Sequence, residues 1–209
     1  MLPCWISRVI GVATVLSLAT LGGCGTFGSK NYSVSGADGK SYPVAATNRY
    51  SRALGYMDAG DDVQAVREFE SFGTQYPEYS GPLVNLGILY SRNGRPDAAM
   101  AALERAIKIC RTCAAANNEL GILQRQQGRF ADAEQSYLRA IEADPGYRLA
   151  YFNLGVLHDL YNGRPDLALE FYGRYLEHEQ DPESRKLVEM WVADLTRRMG
   201  DTQRTAKVE

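Results

Sequence analysis

From about residue 47, apolar residues follow a helical spacing, in pairs of short amphipathic segments that are separated by glycine-containing turns. On the first segment of each pair, a small residue recurs every 34 positions, at Ala53, Gly87, Gly121 and Gly155. A fixed period of this length is typical of an array in which one helix pair cannot bury its apolar face alone. The pattern therefore predicts an all-α, stacked scaffold and makes a catalytic pocket a poor expectation.

The predicted turns inside the pairs carry glycine, which closes a helix in the left-handed conformation without steric cost. These residues are Gly60, Gly94, Gly128 and Gly163, and the last pair has one extra residue before its glycine. A Pro-Asp sequence at positions 96–97 and 165–166 then suits the start of the second helix. Each pair is thus expected to be a helix-turn-helix unit.

The residues at these positions resemble the tetratricopeptide repeat, whose 34-residue pattern is a large residue, Leu-Gly, Tyr, and then Ala, an aromatic residue and Pro. The clearest unit carries Leu83, Leu86-Gly87, Tyr90, Ala99 and Leu103. The resemblance implies a right-handed helical-repeat solenoid over residues 46–199. Its four units are expected at residues 46–79, 80–113, 114–147 and 148–182. Asn117 and Gln124 replace large packing residues, so we expect a weaker contact between the second and third repeats.

A further amphipathic helix is predicted over residues 183–199. Leu187, Trp191 and Leu195 lie four residues apart and form one apolar stripe. Such a helix is expected to cap the open end of the solenoid, and a helix that binds a partner is the alternative. Residues 200–209 are polar and are predicted to form a disordered tail.

The first 23 residues have the pattern of an export signal, with one charged side chain (Arg8) before an apolar stretch over residues 9–21. The stretch ends in Leu21-Gly22-Gly23-Cys24, which resembles the lipobox of bacterial lipoproteins. The resemblance implies that the leader is cut before Cys24 and that this cysteine carries the lipid. An ordinary secretory signal with a chance cysteine and an uncleaved anchor helix are the alternatives.

Residues 24–45 follow as the lipidated cysteine and a linker rich in Gly and Ser. About twenty such residues have a root-mean-square reach of roughly 25 Å, which lifts a small domain off a membrane surface. Gly25 stands where an aspartate retains enterobacterial lipoproteins in the inner membrane. By that resemblance, we expect the protein at the periplasmic face of the outer membrane.

Charge and motifs exclude several classes of function. The formal net charge is −2 and no basic stripe is present, so nucleic acid is disfavoured as a partner. We recognise no phosphate loop, nucleophile elbow, paired carboxylates or metal-ligand spacing, and we predict no enzyme activity, cofactor, metal or small-molecule substrate. His158 occupies the tyrosine position of its repeat and is expected to pack, whereas His178 is expected at the surface.

Cys110 and Cys113 form a CxxC motif in the turn that ends the second repeat. Residue 114 is Ala, which excludes a haem attachment site, and no second ligand pair accompanies the motif for zinc. In an exported chain the pattern favours a local disulfide. Two free buried thiols and a functional redox pair are the alternatives.

The resemblance also places a binding groove, because the first helices of tetratricopeptide repeats line the concave face of the solenoid. Carried onto this chain, the groove residues are Tyr50, Leu54, Met57, Val84, Ile88, Arg92, Asn118, Ile122, Arg125, Phe152, Val156 and Leu160. An apolar strip with two arginines is expected to bind a peptide or helix of an envelope protein, and occlusion of some of these residues by neighbouring helices is the alternative.

In layout the chain resembles bacterial lipoproteins that assist pilus or secretin assembly or act as adaptors for cell-wall hydrolases. We therefore predict a scaffold that assists an envelope complex. An accessory subunit of an envelope enzyme or energised transport complex is the alternative, and a CxxC redox protein is a remote one.

Overall fold

A computed structural model describes residues 42–205, and all regular structure within that range is helical. The helices are α1 (Val44–Asp58), α2 (Asp62–Gln75), α3 (Gly81–Arg92), α4 (Pro96–Ile109), α5 (Ala114–Gln126), α6 (Phe130–Ala143), α7 (Arg148–Leu160), α8 (Pro165–His178) and α9 (Pro182–Thr205). The predicted leader, Cys24, the linker up to residue 41 and residues 206–209 lie outside the described range.

Helices α1–α8 form four consecutive pairs, and each pair is one predicted repeat. The two helices of a pair pack together, and the second helix of each pair contacts the first helix of the next. The first helices also contact one another directly, α3 with α5 and α5 with α7. This arrangement confirms the predicted all-α solenoid of helix-turn-helix units.

The turn inside each pair is closed by the predicted glycine. Gly60, Gly94, Gly128 and Gly163 have φ angles of 75°, 69°, 74° and 60°. Beside Gly128, the Arg129 amide donates to the Gln124 carbonyl at 2.9 Å, a bond that satisfies one of the last carbonyls of α5. In the fourth repeat the extra residue shifts this bond by one position, and the Arg164 amide donates to the His158 carbonyl at 2.9 Å.

The recurring small residues let the two helices of a pair approach closely. A Cβ on Gly87 would lie 2.6 Å from the Leu103 side chain, and a Cβ on Gly121 would lie 2.5 Å from the Tyr137 ring. On the second helices, the recurring alanines at positions 65, 99, 133 and 168 are all fully buried. Large core side chains thus pack directly on backbone, which explains the 34-residue recurrence of Gly and Ala.

Helix α9 packs on the fourth repeat through Val188, Leu195 and the Trp191 ring, whose centroid lies 6.0 Å from that of Tyr172. This is the position that the sequence predicts for a capping helix. The helix runs to Thr205, however, whereas the prediction ends it at residue 199 and makes the following residues disordered. Bonds from Arg197 and Arg198 to Asp194, at 2.5 and 3.0 Å, support its later turns.

The ordered array begins a few residues before the predicted start of the domain. Tyr42, which the sequence assigns to the linker, is only 4% exposed. Its ring centroid lies 4.9 Å from that of Tyr50 and 4.8 Å from that of Tyr79. Aromatic packing of this kind holds the chain against the first repeat, and α1 therefore begins at Val44.

None of the helices within residues 42–205 combines the length and the apolar character that crossing a bilayer requires. The apolar stretch at residues 9–21 lies outside this range.

Candidate partner-binding face

Side chains on successive first helices bond to one another across the repeats. The side-chain amide of Asn85 donates to the Tyr50 hydroxyl at 2.8 Å, and the side-chain amide of Asn153 donates to Oδ1 of Asn118 at 2.9 Å. In both cases the partners are 35 residues apart. These bonds place α1, α3, α5 and α7 side by side. We call the surface that these four helices present the first-helix face.

The structure divides the predicted groove residues into buried and accessible ones. Four of them are buried against neighbouring helices, which agrees with the alternative that part of the groove is occluded: Tyr50, Val84, Asn118 and Val156. The others keep at least part of their surface open to solvent: Leu54, Met57, Ile88, Arg92, Ile122, Arg125, Phe152 and Leu160. The accessible part of the face is mainly aliphatic.

Both arginines of the face are already held by the chain. Arg92 forms a two-point ion pair with Asp62 on α2, with one bond of 2.9 Å from Nε to Oδ2. Arg125 Nε lies 3.3 Å from the Tyr137 hydroxyl, and its guanidinium carbon lies 5.6 Å from the centre of the Tyr161 ring. These contacts fix the direction of the two cations, so they border the aliphatic strip in defined positions.

Phe152 lies at the end of the face that α9 covers. Its ring centroid is 5.3 Å from that of Tyr175 and 5.6 Å from that of Trp191. Close by, Asp159 is paired with Arg198 of α9 at 3.0 Å. The capping helix therefore occupies this end, and the accessible strip runs through the first three repeats and resumes only at Leu160.

Two aromatic residues that sequence reasoning missed lie beside Leu160. Leu160 is 50% exposed and Tyr161 is 39% exposed. The Tyr161 ring packs on Phe130 with centroids 4.9 Å apart. We call Phe130, Leu160 and Tyr161 the Leu160 patch. In the sequence, this patch could have been predicted from the extra residue of the fourth repeat, which lengthens the turn where Tyr161 lies.

Glu119 is a second residue of the face that sequence reasoning missed. The 34-residue register aligns it with Asn85 and Asn153, which bond to the preceding first helix, whereas Glu119 accepts a bond from its neighbour Asn118 at 3.3 Å. Burial raises the pKa of its carboxyl to about 7, although part of the side chain still meets solvent. No Lys or Arg within residues 42–201 forms an ion pair with it.

The histidines take the positions that the sequence predicts. His158 is fully buried and stacks on Phe171, with ring centroids 5.5 Å apart. Its Nε2 lies 3.8 Å from a Glu134 carboxylate oxygen, and burial lowers the pKa of the imidazole. His178 is exposed. Within the described part of the chain no cluster of His, Cys, Asp and Glu could hold a metal ion.

Cys110 and Cys113 of the CxxC motif are not joined by a disulfide in the structure, so the bond that the sequence favours stays a prediction. Cys113 is fully buried, and Cys110 is partly exposed. Burial, and secondarily the neighbouring Cys110, raise the pKa of the Cys113 thiol to about 11. At neutral pH Cys113 is therefore protonated, and the partly exposed Cys110 is the sulfur that a reagent can reach.

Comparison with protein families confirms the nature of the repeats. The tetratricopeptide repeat model matches residues 84–148 and, in an overlapping second match, residues 118–185. The later part of the array is therefore similar to tetratricopeptide repeats. Tetratricopeptide repeat proteins are typically scaffolds for protein–protein interaction. No curated protein sequence is significantly similar to the chain.

Solved tetratricopeptide repeat proteins share this fold. PilF of Pseudomonas aeruginosa is 22% identical, with a TM-score of 0.66 over 75% of this chain and 70% of its own. YrrB, described as having an unusual peptide-binding site, is 23% identical, with a TM-score of 0.54 over 70% of this chain and 75% of its own. The O-GlcNAc transferase of Thermobaculum terrenum is 27% identical, with a TM-score of 0.56 over 62% of this chain and only 26% of its own.

Proposed function

We propose that this protein is a non-enzymatic scaffold of the bacterial envelope. A lipid on Cys24 holds it at the periplasmic face of the outer membrane, and the first-helix face binds an apolar segment of another envelope protein that belongs to a pilus, secretin or cell-wall complex. The proposal rests chiefly on one observation: aliphatic side chains stay accessible at equivalent positions of successive repeats, namely Leu54, Ile88 and Ile122.

Apolar side chains at a regular spacing are suited to a helix or an extended peptide. Burial of apolar surface contributes roughly 25 cal/mol per Å², so a few such side chains give useful affinity only when one ligand covers them together. The Leu160 patch would supply a further anchor of aromatic and aliphatic character. YrrB, which shares this fold and is described as having an unusual peptide-binding site, supports this use of the face.

Site-specific photocrosslinking in cells tests the binding face. A photoreactive residue at position 160 should give an adduct with a specific envelope protein, whereas the same residue at position 63 should not. Val63 is the matched control because it is 62% exposed but lies on the second helix α2. Ile122→Asp should abolish the adduct at position 160. Equal adducts at both positions, or an adduct that Ile122→Asp leaves unchanged, would contradict binding at this face.

The identity of the adduct also separates the candidate roles. An adduct with a pilus or secretin component, or with a wall hydrolase, would support the proposed scaffold role. A transport or wall-enzyme complex that retains the chain as a stoichiometric subunit would favour the alternative of an accessory subunit.

The membrane tether needs its own test. Mass spectrometry of the mature protein should find Cys24 as the first residue with acyl chains attached, because two or three chains make anchoring stable. Cys24→Ala should release the protein into the soluble periplasm. Membrane association that survives this substitution would contradict the tether, and a cleaved N-terminus without acylation would point to an ordinary secretory signal.

A further inference from the structure

The turns between repeats share one backbone geometry. In each, the amide of the fourth residue donates to the carbonyl of the first. The N–O distances are 3.4 Å for Tyr79 to Tyr76, 3.2 Å for Cys113 to Cys110, and 2.9 Å for Tyr147 to Asp144. The 34-residue register makes these three turns equivalent, so their side chains can be compared position by position.

The first and third turns are fixed by their own side chains. Their second position is proline, Pro77 and Pro145, which restricts the backbone. In the first turn the rings of Tyr76 and Tyr79 contact each other, with centroids 6.4 Å apart. In the third turn an Asp144 carboxylate oxygen accepts a bond from the Gly146 amide at 2.9 Å. Each device holds the chain in the turn conformation.

The second turn has neither proline nor an aromatic pair. Arg111 stands in the proline position, and Cys110 and Cys113 take the two positions whose side chains touch in the first turn. A turn of this type brings its first and fourth Cα atoms within about 7 Å, and disulfides span about 4.4–6.8 Å between Cα atoms.

The junction that this turn joins has polar groups in its interior. Asn117 is 2% exposed, and although its amide donates to the Cys113 carbonyl at 3.1 Å, its Oδ1 has no hydrogen-bond partner. Gln124, further along α5, is also buried, and it accepts a bond from Ser136 of α6 within the third repeat. An unsatisfied buried polar atom is costly, and a covalent restraint on the adjoining turn would add stability beside it.

We propose that Cys110 and Cys113 form a reversible disulfide that fixes this turn as proline and side-chain contacts fix the equivalent ones. The oxidant is a disulfide, either of a protein or of a small thiol. The Cys110 thiolate attacks one of its sulfurs and releases the other as a thiolate, and the Cys113 thiolate then attacks Cys110 and releases the second oxidant sulfur. Two thiols lose two protons and two electrons, and the oxidant's disulfide becomes two thiols.

Peptide mapping tests the bond directly, with the purified full chain equilibrated in buffers of reduced and oxidised glutathione. Because trypsin cleaves after Arg111, a disulfide joins two peptides, residues 109–111 and 112–125, which separate on reduction. We expect the joined pair under oxidising buffers and its loss in dithiothreitol. Two separate peptides throughout the oxidising range would overturn the proposal, as would cysteines that carry only glutathione.

Thermal unfolding tests the structural role of the bond. A disulfide that closes so short a loop should raise Tm by a few degrees relative to the reduced chain. Cys110→Ser should unfold at the same temperature with and without dithiothreitol, and adding Arg111→Pro to it should recover part of the difference. A joined peptide pair without any change in Tm would show that the bond forms but does not stabilise the junction. These outcomes do not depend on what the first-helix face binds.

Discussion

The ring of Tyr137 lies directly against the backbone of Gly121, where an added Cβ would be 2.5 Å from Cε1. Both residues are buried at the centre of the third repeat, and Tyr137 is fully enclosed. The close approach of α5 and α6 therefore depends on the absence of a side chain at one position. This contact is repeated along the array with Gly87 and Leu103, so it is a property of the repeat rather than of one site.

Gly121→Ala should destabilise the protein by about 1–3 kcal/mol, because the added methyl group forces a large ring out of a packed site. Gly173→Ala is the matched control, since Gly173 lies inside α8 with nothing within 4 Å of an added Cβ. That change should stabilise by up to about 1 kcal/mol through helix propensity. Chemical denaturation followed by circular dichroism measures both, and equal effects would contradict the role of the close contact.

Glu119→Gln should stabilise the protein at alkaline pH. Burial raises the folded-state pKa of Glu119 to about 7, above that of an unfolded Glu, so folding opposes ionisation and the wild type loses stability as pH rises from about 4.5 to 7. The variant should be more stable by about 1–3 kcal/mol at pH 8 and equal to the wild type below pH 4.5. Glu142→Gln, at an exposed site on α6, should show no such difference.

Glu179→Gln should destabilise the protein at neutral pH and have little effect in acid. Burial opposes ionisation of Glu179, but bonds from Tyr175, the Asp181 amide and Arg148 outweigh it and lower the pKa to about 2. The ionised carboxylate therefore stabilises the fold above the unfolded pKa, and this stability is lost as pH falls from about 5 to 2. The wild type should exceed the variant by up to about 3 kcal/mol at pH 7. Urea titrations at several pH values should show that the difference in unfolding free energy between the wild type and the variant decreases as the pH falls.

Exposed Glu177, in the last turn of α8 and two residues before Glu179, provides the control. Glu177→Gln should change stability by less than about 0.5 kcal/mol at any pH. If it had the same effect as Glu179→Gln, general surface charge would explain the result rather than the buried network that holds the start of α9.

His158→Phe should remove a loss of stability in mild acid. Burial lowers the folded-state pKa of His158, with Arg164 acting in the same direction and Glu134 and Asp166 opposing it, so the folded protein resists protonation more than the unfolded chain does. The wild type should therefore become less stable as pH falls through about 6.5. Thermal unfolding at pH 7.5 and pH 5.5 measures the slope. It should flatten in the variant and persist in His178→Phe, which changes an exposed histidine.

The features that the sequence predicts well are the repeated ones. The turn glycines and the buried alanines each appear four times at a spacing of 34 or 35 residues, so a chance match at one position has little effect on the prediction. The position of the capping helix also follows, because Val188 and Leu195 lie on one stripe of a regular helix. Local pattern and tertiary structure agree at these residues.

The residues that the sequence misplaces depend on contacts between distant segments. Tyr42 lies in a stretch without helical period, and three rings from later in the first repeat, Tyr50, Phe72 and Tyr79, make it part of the core. Phe152 has the register of a groove residue, but Trp191 packs against its ring and leaves only part of it open to solvent. No pattern within one repeat contains this information, since it arises where the array ends.

The 35-residue step between the hydrogen-bonded partners of the first-helix face has a mechanical consequence. Asn85 and Tyr50, and likewise Asn153 and Asn118, join adjacent repeats only. In an array of nearest-neighbour contacts, a pulling force is resisted by one junction at a time. A load applied along the array would therefore separate its repeats one after another, starting from an end.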